Sequence, residues 1–113
     1  MRFRKRSAIL ALLLAGIWGL SAAPAAASNA TAGQIIGPLV DSTGFVIFYH
    51  NGTRTGDPAC DTNGRWGFSA ATAGGQAMLS MLMTAFASNR QIVIYGTGTC
   101  TNGQENIAYF FIP

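Results

Sequence analysis

The sequence has few charged residues and few of the side chains that most often carry catalysis. Of 113 residues, seven are Lys or Arg, four are Asp or Glu, and one, His50, is histidine. No G-x-S-x-G elbow or comparable motif accompanies the serines. The four carboxylates are scattered and form no recognisable acid–base pair. We therefore expect no enzymatic activity, no metal site and no cofactor.

Residues 1–27 have the layout of a secretory signal peptide. A basic start that includes Arg4 and Lys5 precedes an apolar run over residues 9–20, and Ala25-Ala26-Ala27 is an A-x-A cleavage pattern. An uncleaved membrane anchor is the alternative, because residues 8–27 approach the length of a span. We expect cleavage after Ala27 and a secreted or periplasmic product without a membrane span.

Removal of the signal leaves a domain with almost no net charge. Residues 28–113 keep three arginines against four carboxylates, a net charge of −1, and contain no lysine. The charge of +3 on the whole chain therefore comes from the signal. Because a basic patch on the folded domain is what indicates nucleic-acid binding, we expect neither nucleic acid nor an anionic membrane surface as a partner.

The two cysteines lie in a domain of 86 residues, a size that commonly needs a covalent link. Export implies an oxidising compartment, and only one intramolecular pairing exists. A reactive or metal-binding thiol pair is the alternative, although the spacing is far from C-x-x-C. We predict a disulfide between Cys60 and Cys100. Closure of its loop of about 40 residues stabilises the fold by roughly 4 kcal/mol in the chain-entropy model.

The spacing of apolar residues predicts one helix and five strands. In the helix, Leu79, Leu82, Met83 and Phe86 recur at i, i+3, i+4 and i+7 and are expected to face the core. Thr72 is the expected N-cap and Asn89 the expected C′ residue. The predicted strands span residues 34–40, 45–50, 65–69, 91–95 and 106–112. Residues 28–33 are predicted as a flexible start and residues 96–103 as a glycine-rich loop.

The resulting order, β-β-β-α-β-β, describes a mainly β domain with one helix. It fits an OB-like five-stranded Greek-key barrel that occupies residues 28–113 as a single domain. The alternative is an α+β open antiparallel sheet with one packed helix. In either arrangement the two cysteines lie in loops near the same end of the sheet.

The predicted strands have more apolar surface than a domain of this size needs for its core. A half-buried strand alternates apolar and polar residues, whereas FVIFYH, IVIY and IAYFFI are apolar on both faces. A compact barrel with aromatic residues covered by loops is one explanation. We favour a subunit interface that uses the outer strand faces and the helix flank formed by Met78, Met81 and Ala85.

A carbohydrate-binding platform is a further hypothesis that would explain the excess of apolar surface. Carbohydrate sites often combine aromatic faces with small polar side chains, and Tyr49, His50, Asn51 and Trp66 offer both. The alternative is that Trp66 belongs to the core or to an interface.

The middle of the chain resembles a known family. Cys60, Trp66-Gly67, a helix that contains Gln76-Ala77, and residues 91–95 together resemble the B subunits of subtilase-type AB5 toxins and related small secreted proteins. The resemblance implies an OB fold with a disulfide, a pentameric ring whose helices line a central pore, and binding of cell-surface glycans. No stretch of this chain matches the sugar-contacting residues of that family.

These observations lead to two functional expectations. The first is a secreted, non-enzymatic binding module that is oligomeric and recognises a glycan or a surface protein. The second is a monomeric periplasmic protein that binds another protein, for instance an enzyme inhibitor, through the glycine-rich loop over residues 96–103.

Overall fold

The computed structural model describes residues 27–113, and the predicted signal sequence up to residue 26 lies outside the described residues. Within the described part the chain is mainly β with a single helix, as predicted. The elements in chain order are β1 (Asn29–Gly33), β2 (Ile35–Val40), β3 (Phe45–His50), β4 (Arg54–Thr55), β5 (Trp66–Ser69), α1 (Ala73–Ala87), β6 (Ile92–Thr101) and β7 (Gln104–Phe111).

The seven strands form one open mixed sheet in the order β2-β3-β5-β7-β6-β1-β4. Strands β5 and β7 pair in parallel, so the sheet is not wholly antiparallel. Only Gln34 separates β1 from β2, although five steps of the strand order lie between them. In a flat sheet those steps would span about 24 Å, whereas two peptide units reach about 7 Å. The sheet is therefore strongly curved.

Two segments that the sequence predicts as irregular are strands. Residues 29–33 form β1, which pairs with β6 on one side and with β4 on the other. Most of the predicted glycine-rich loop belongs to β6, and the turn to β7 is confined to Asn102 and Gly103. Gly96 is required in β6 because a Cβ at that position would collide with the carboxylate of Glu105.

The core joins α1 to the sheet. Leu82 and Ala85 of α1 have no exposed surface, and Met78 and Leu79 pack against the same cluster. The strand residues of the cluster include Val46, Phe48, Trp66, Phe68, Ile92, Ile94, Ile107 and Phe110.

The predicted core face of α1 is partly wrong. Met83 and Phe86 are 42% and 43% exposed. The buried face runs instead through Gly75, Leu82 and Ala85. Two of these residues are small, and a Cβ at Gly75 would collide with the carbonyl oxygen of Ser69. The helix therefore turns its small residues toward the sheet because that face allows the closest approach.

The ends of α1 agree with the sequence prediction. The hydroxyl of Thr72 accepts a hydrogen bond from the backbone N–H of Gly75 at 2.9 Å, which caps the N-terminus. After the helix, Asn89 adopts a left-handed conformation with φ of 56°.

The predicted disulfide is confirmed. Cys60 and Cys100 are bonded, with 5.9 Å between their Cα atoms. The bond ties the segment between β4 and β5 to the end of β6, so it holds a long irregular connection against the sheet.

Residues 27–113 contain no helix with both the length and the apolar character needed to span a bilayer.

Candidate functional site: two apolar surface patches

The outer face of β6 and β7 carries a patch formed by Val93, Tyr95, Tyr109 and Phe111, called here the β6–β7 patch. The strand register places Val93 opposite Phe111 and Tyr95 opposite Tyr109. The two tyrosine rings stack, with centroids 4.8 Å apart and planes 15° from parallel. Tyr109 is 52% exposed and Phe111 is 41% exposed. The patch therefore presents a largely apolar surface to its surroundings.

The β6–β7 patch continues onto the helix through a groove of about 240 Å³ between α1 and β7. Six residues line the groove: Ala77, Met78, Met81, Ala108, Tyr109 and Phe110. None of them is charged, and α1 has no charged residue along its whole length. Met81 is 40% exposed at the helical wall, so a methionine and a tyrosine side chain are both accessible there.

A second patch, the β2–β3 patch, consists of Ile36, Leu39, Ile47 and Tyr49. The register pairs Ile36 with Tyr49 and Leu39 with Ile47 across the two strands. Ile36, Leu39 and Tyr49 are between 43% and 48% exposed. In the strand order, β5 lies between this strand pair and the β6–β7 pair. The two patches are therefore separate surfaces on one curved sheet.

The predicted interface residues on the helix do not share one exposed face. Met81 is exposed, Met78 is half-buried between the groove and the core, and Ala85 has no exposed surface. Ala85 packs inside the chain because its small side chain allows α1 to approach the sheet. Of the predicted flank, only Met78 and Met81 can contribute to a contact surface.

Trp66, the largest ring of the predicted carbohydrate platform, is not available at the surface. Trp66 is 1% exposed, so it cannot stack on a sugar. His50 is held by the backbone, because Nε2 lies 2.9 Å from the carbonyl oxygen of Ile92 and Nδ1 accepts from Gly52. Burial lowers the pKa of His50. Tyr49 and Asn51 remain exposed beside it.

The guanidinium of Arg65 lies 5.5 Å from the centroid of the Tyr49 ring. One face of this ring is thus already occupied by a cation–π contact. A ligand that stacked on Tyr49 would have to use the other face or displace Arg65.

A charged cluster that the sequence did not reveal surrounds Arg54 of β4. Arg54 contacts three carboxylates: Nη2 lies 2.8 Å from Glu105 and 3.2 Å from Asp57, and Nη1 meets Asp61. The guanidinium also lies 3.9 Å from the centroid of the Trp66 ring. The side chains of Asp61 and Glu105 have no exposed surface. This cluster covers Trp66 from one side, and all its members except Asp57 are buried or nearly so.

The three carboxylates lie within 4.8 Å of one another, which is close enough to share a cation. Arg54 already contacts all three, so its guanidinium takes the position that a metal ion would need. Burial raises the pKa of Glu105, but hydrogen bonds from Ser28, Arg54 and the Gly98 N–H outweigh it and leave the pKa below its ordinary value. We therefore interpret the cluster as a structural ion-pair network.

The pKa of Asp57, the exposed member of the network, is raised, whereas that of Glu105 is lowered. Burial is the largest cause that raises its pKa, and the charges of Asp61 and Glu105 act in the same direction against Arg54. The network thus places three carboxylates around a single guanidinium.

No protein-family model, no curated protein and no solved structure matches this chain.

Proposed function

We propose that this protein is a secreted, non-enzymatic binding module that assembles from several copies of itself. The observation that carries the proposal is the pair of exposed apolar patches on the outer sheet face. Isolated exposed apolar residues are ordinary in monomers, whereas contiguous patches usually mark contacts. Here Ile36 faces Tyr49 in one patch and Tyr95 stacks on Tyr109 in the other, so each patch is contiguous.

The composition of the β6–β7 patch favours a permanent contact between copies over a transient one. The cores of lasting subunit interfaces are depleted of charge and enriched in tyrosine, phenylalanine and methionine. The patch and the adjoining groove contain all three residue types and no charge. A second copy of the chain is therefore the occupant that fits this surface best.

The presence of two different patches favours a head-to-tail assembly. When a patch on one subunit packs on a different patch of the next, each subunit has one contact of each kind to satisfy, and a ring satisfies them all. We propose that the β2–β3 patch of one copy packs on the β6–β7 patch of its neighbour. This arrangement agrees with the ring that the resemblance to toxin B subunits implies.

We further propose that the sheet is an OB-type barrel in which β1 and β2 act as one bent strand. Three features support this assignment: the single residue between β1 and β2, the position of α1 between β5 and β6, and the parallel pairing of β5 with β7. On this interpretation β3, β5, β6 and β7 are the other four strands of a five-stranded Greek-key barrel.

A binding role without catalysis agrees with the state of the titratable groups. Both ring nitrogens of His50 are engaged by the backbone. The carboxylates of Asp61 and Glu105 are paired with Arg54 inside the fold. A general acid or base must reach its substrate, and the backbone contacts of His50 and the burial of the Asp61 and Glu105 side chains disfavour that role.

Glycan recognition is a separate proposal, and the resemblance to toxin B subunits is its main support. It would rest on Tyr49 and Asn51, because Trp66 is buried. The test is a glycan array probed with the exported protein and with a Tyr49→Ala variant. Binding that Tyr49→Ala removes would support a sugar site, and an array without hits would end the glycan proposal. The monomeric inhibitor remains the alternative if the chain does not assemble.

Two complementary variants test the head-to-tail contact. Ile36→Glu places a charge in the β2–β3 patch, and Tyr109→Glu places one in the β6–β7 patch. Each should reduce the assembly to single chains in light scattering, because each damages one side of every contact. An equimolar mixture should form a species of two chains, since one intact patch remains on each variant.

Ser80→Glu is the matched control, because Ser80 is an exposed polar residue of α1 that belongs to neither patch. The Ser80→Glu variant should form an assembly of the same number of chains as the unmodified protein in light scattering. The head-to-tail proposal is wrong if Ile36→Glu still assembles like the unmodified chain. It is also wrong if the mixture of the two variants contains only single chains.

A further inference from the structure

The backbone nitrogen of Ser28 lies inside the fold, at the carboxylate of Glu105. Ser28 is 1% exposed, and its N–H donates to Oε2 of Glu105 at 3.2 Å. Its hydroxyl donates to Oε1 of the same carboxylate. The Gly98 N–H also donates to Oε2, at 3.0 Å. The first residue after the predicted cleavage pattern thus binds the most deeply buried acid of the domain.

The network around Glu105 lacks positive charge. Among residues 27–113, Arg54 is the only cation that contacts the three carboxylates, so the four side chains carry a formal charge of −2 when all three carboxylates are ionised. Two of the carboxylates have no exposed side-chain surface. Uncompensated charge in such a place is costly, so one further cation near Glu105 would be strongly favoured.

We propose that removal of the signal peptide after Ala27 supplies this cation, as the free α-ammonium of Ser28 paired with Glu105. A peptide N–H at this position donates one hydrogen bond, whereas an ammonium carries a full charge and three donors. The residue on the other side of the bond, Ala27, is exposed. The folded domain is therefore completed by the processing step itself.

The chemistry of the step is hydrolysis of one peptide bond by a signal-processing protease of the export route. Water adds to the carbonyl carbon of Ala27 and the C–N bond to Ser28 breaks. Ala27 leaves with the new carboxylate on the released peptide. Ser28 keeps the nitrogen as an amine, which takes up a proton and becomes an ammonium.

The sequence makes this amine easy to follow. Lys5 is the only lysine, and it lies in the predicted signal. After cleavage, the α-amino group is the only primary amine of the chain. An acetylating N-hydroxysuccinimide ester therefore reports on the N-terminus alone.

The first experiment uses the protein exported from the full chain. Its intact mass should correspond to residues 28–113, and a product that starts elsewhere or keeps its leader would overturn the proposal. The ester should acetylate the folded protein roughly tenfold or more slowly than the protein in urea, because the amine is released only when the fold opens. Equal rates in the two states would also overturn it.

The second experiment separates the ion pair from simple burial of the terminus. The protein is acetylated in urea and refolded, and its thermal midpoint is compared with that of unmodified protein. Acetylation should lower the midpoint by about 5 °C, because a charge-assisted hydrogen bond is replaced by a neutral one. In Glu105→Gln the same acetylation should change the midpoint much less.

Asp57→Asn is the control, because it removes a charge from the same network without touching Ser28. Acetylation should lower its midpoint as much as that of the unmodified chain. An equal loss in Glu105→Gln and Asp57→Asn would contradict the pairing. If Glu105→Gln does not fold, the midpoint of the acetylated unmodified protein decides the question, because an unchanged midpoint would contradict the ion pair.

Discussion

Arg54 and Glu105 are 51 residues apart in sequence and form a close ion pair, with 2.8 Å between Nη2 and Oε1. Glu105 is fully buried in β7, and Arg54 reaches it from the short edge strand β4. Because the guanidinium also lies over the Trp66 ring, one side chain links an edge strand, an interior carboxylate and the largest aromatic residue of the core. This link explains why a strand of two residues holds its place in the sheet.

Removal of the Arg54 charge should destabilise the fold strongly. Arg54→Met keeps much of the apolar contact with Trp66 but removes the guanidinium that offsets the charge of the buried carboxylates of Asp61 and Glu105. We expect a loss of about 3–5 kcal/mol in the free energy of unfolding, measured by urea titration. Arg90→Met, at an exposed arginine, is the control and should cost less than about 1 kcal/mol. Equal costs at the two sites would contradict a structural role for the network.

Acid should destabilise the protein through Glu105. The folded-state pKa of Glu105 lies below its ordinary value, so the folded chain stays ionised where the unfolded chain takes up a proton. The contribution of Glu105 to the free energy of unfolding is therefore fully present above about pH 5, and it is lost as the pH falls through the lower, folded-state value.

A comparison of pH profiles for the unmodified chain and Glu105→Gln isolates this effect. Asp41, whose pKa is lowered by hydrogen bonds from Thr43 and Phe45, contributes in the same direction in both proteins. The variant should be less stable at neutral pH and should lose less stability below pH 5. Two parallel profiles would show that Glu105 is not the group that titrates.

Two adjacent glycines of α1 should respond in opposite ways to the same substitution. A Cβ at Gly74 has no neighbour within 4 Å, so Gly74→Ala should raise the free energy of unfolding by about 0.5–1 kcal/mol through helix propensity. At Gly75 the Cβ would collide with the carbonyl oxygen of Ser69, so Gly75→Ala should be clearly destabilising. Thermal unfolding of the two variants measures the difference. The same sign at both positions would refute the close approach of α1 to the sheet.

Loss of the disulfide should cost several kcal/mol. It closes a loop of 40 residues, and the chain-entropy model gives about 4 kcal/mol for a loop of that length. The double variant Cys60→Ser with Cys100→Ser should therefore unfold at a lower urea concentration, and a reducing agent should reproduce the shift in the unmodified chain. No shift in either case would indicate that the connection is held mainly by Arg54 and its carboxylates.

The sequence predicted the elements that depend on local patterns. The dense run of β-branched and aromatic residues in FVIFYH gave β3 with its observed bounds, and the hydroxyl of Thr72 and the backbone preference of Asn89 gave the ends of α1. The disulfide followed from the export signal together with the presence of only two cysteines. Each of these inferences needs only neighbouring residues or a count.

The sequence did not predict features that depend on distant contacts. The small and polar residues of β1 carry no strand pattern, and the strand forms through backbone hydrogen bonds that do not depend on side-chain type. The glycines of residues 96–103 predict a loop from local preference alone, although Gly96 lies in β6 and leaves room for Glu105. The apolar spacing in α1 predicts its buried face only in part, because the helix is apolar on most sides. Packing against the sheet then determines which face of α1 is buried, and small side chains such as Ala85 allow the helix to approach the sheet most closely.

The most direct test of the proposed assembly is the molar mass of the exported protein in solution. Light scattering or sedimentation equilibrium at micromolar concentration measures it without any variant. If the β2–β3 and β6–β7 patches pack on each other between copies, the mass should be a multiple of that of one mature chain. The mass of a single chain at every concentration up to about 100 μM, beyond the range of ordinary stable interfaces, would contradict the account.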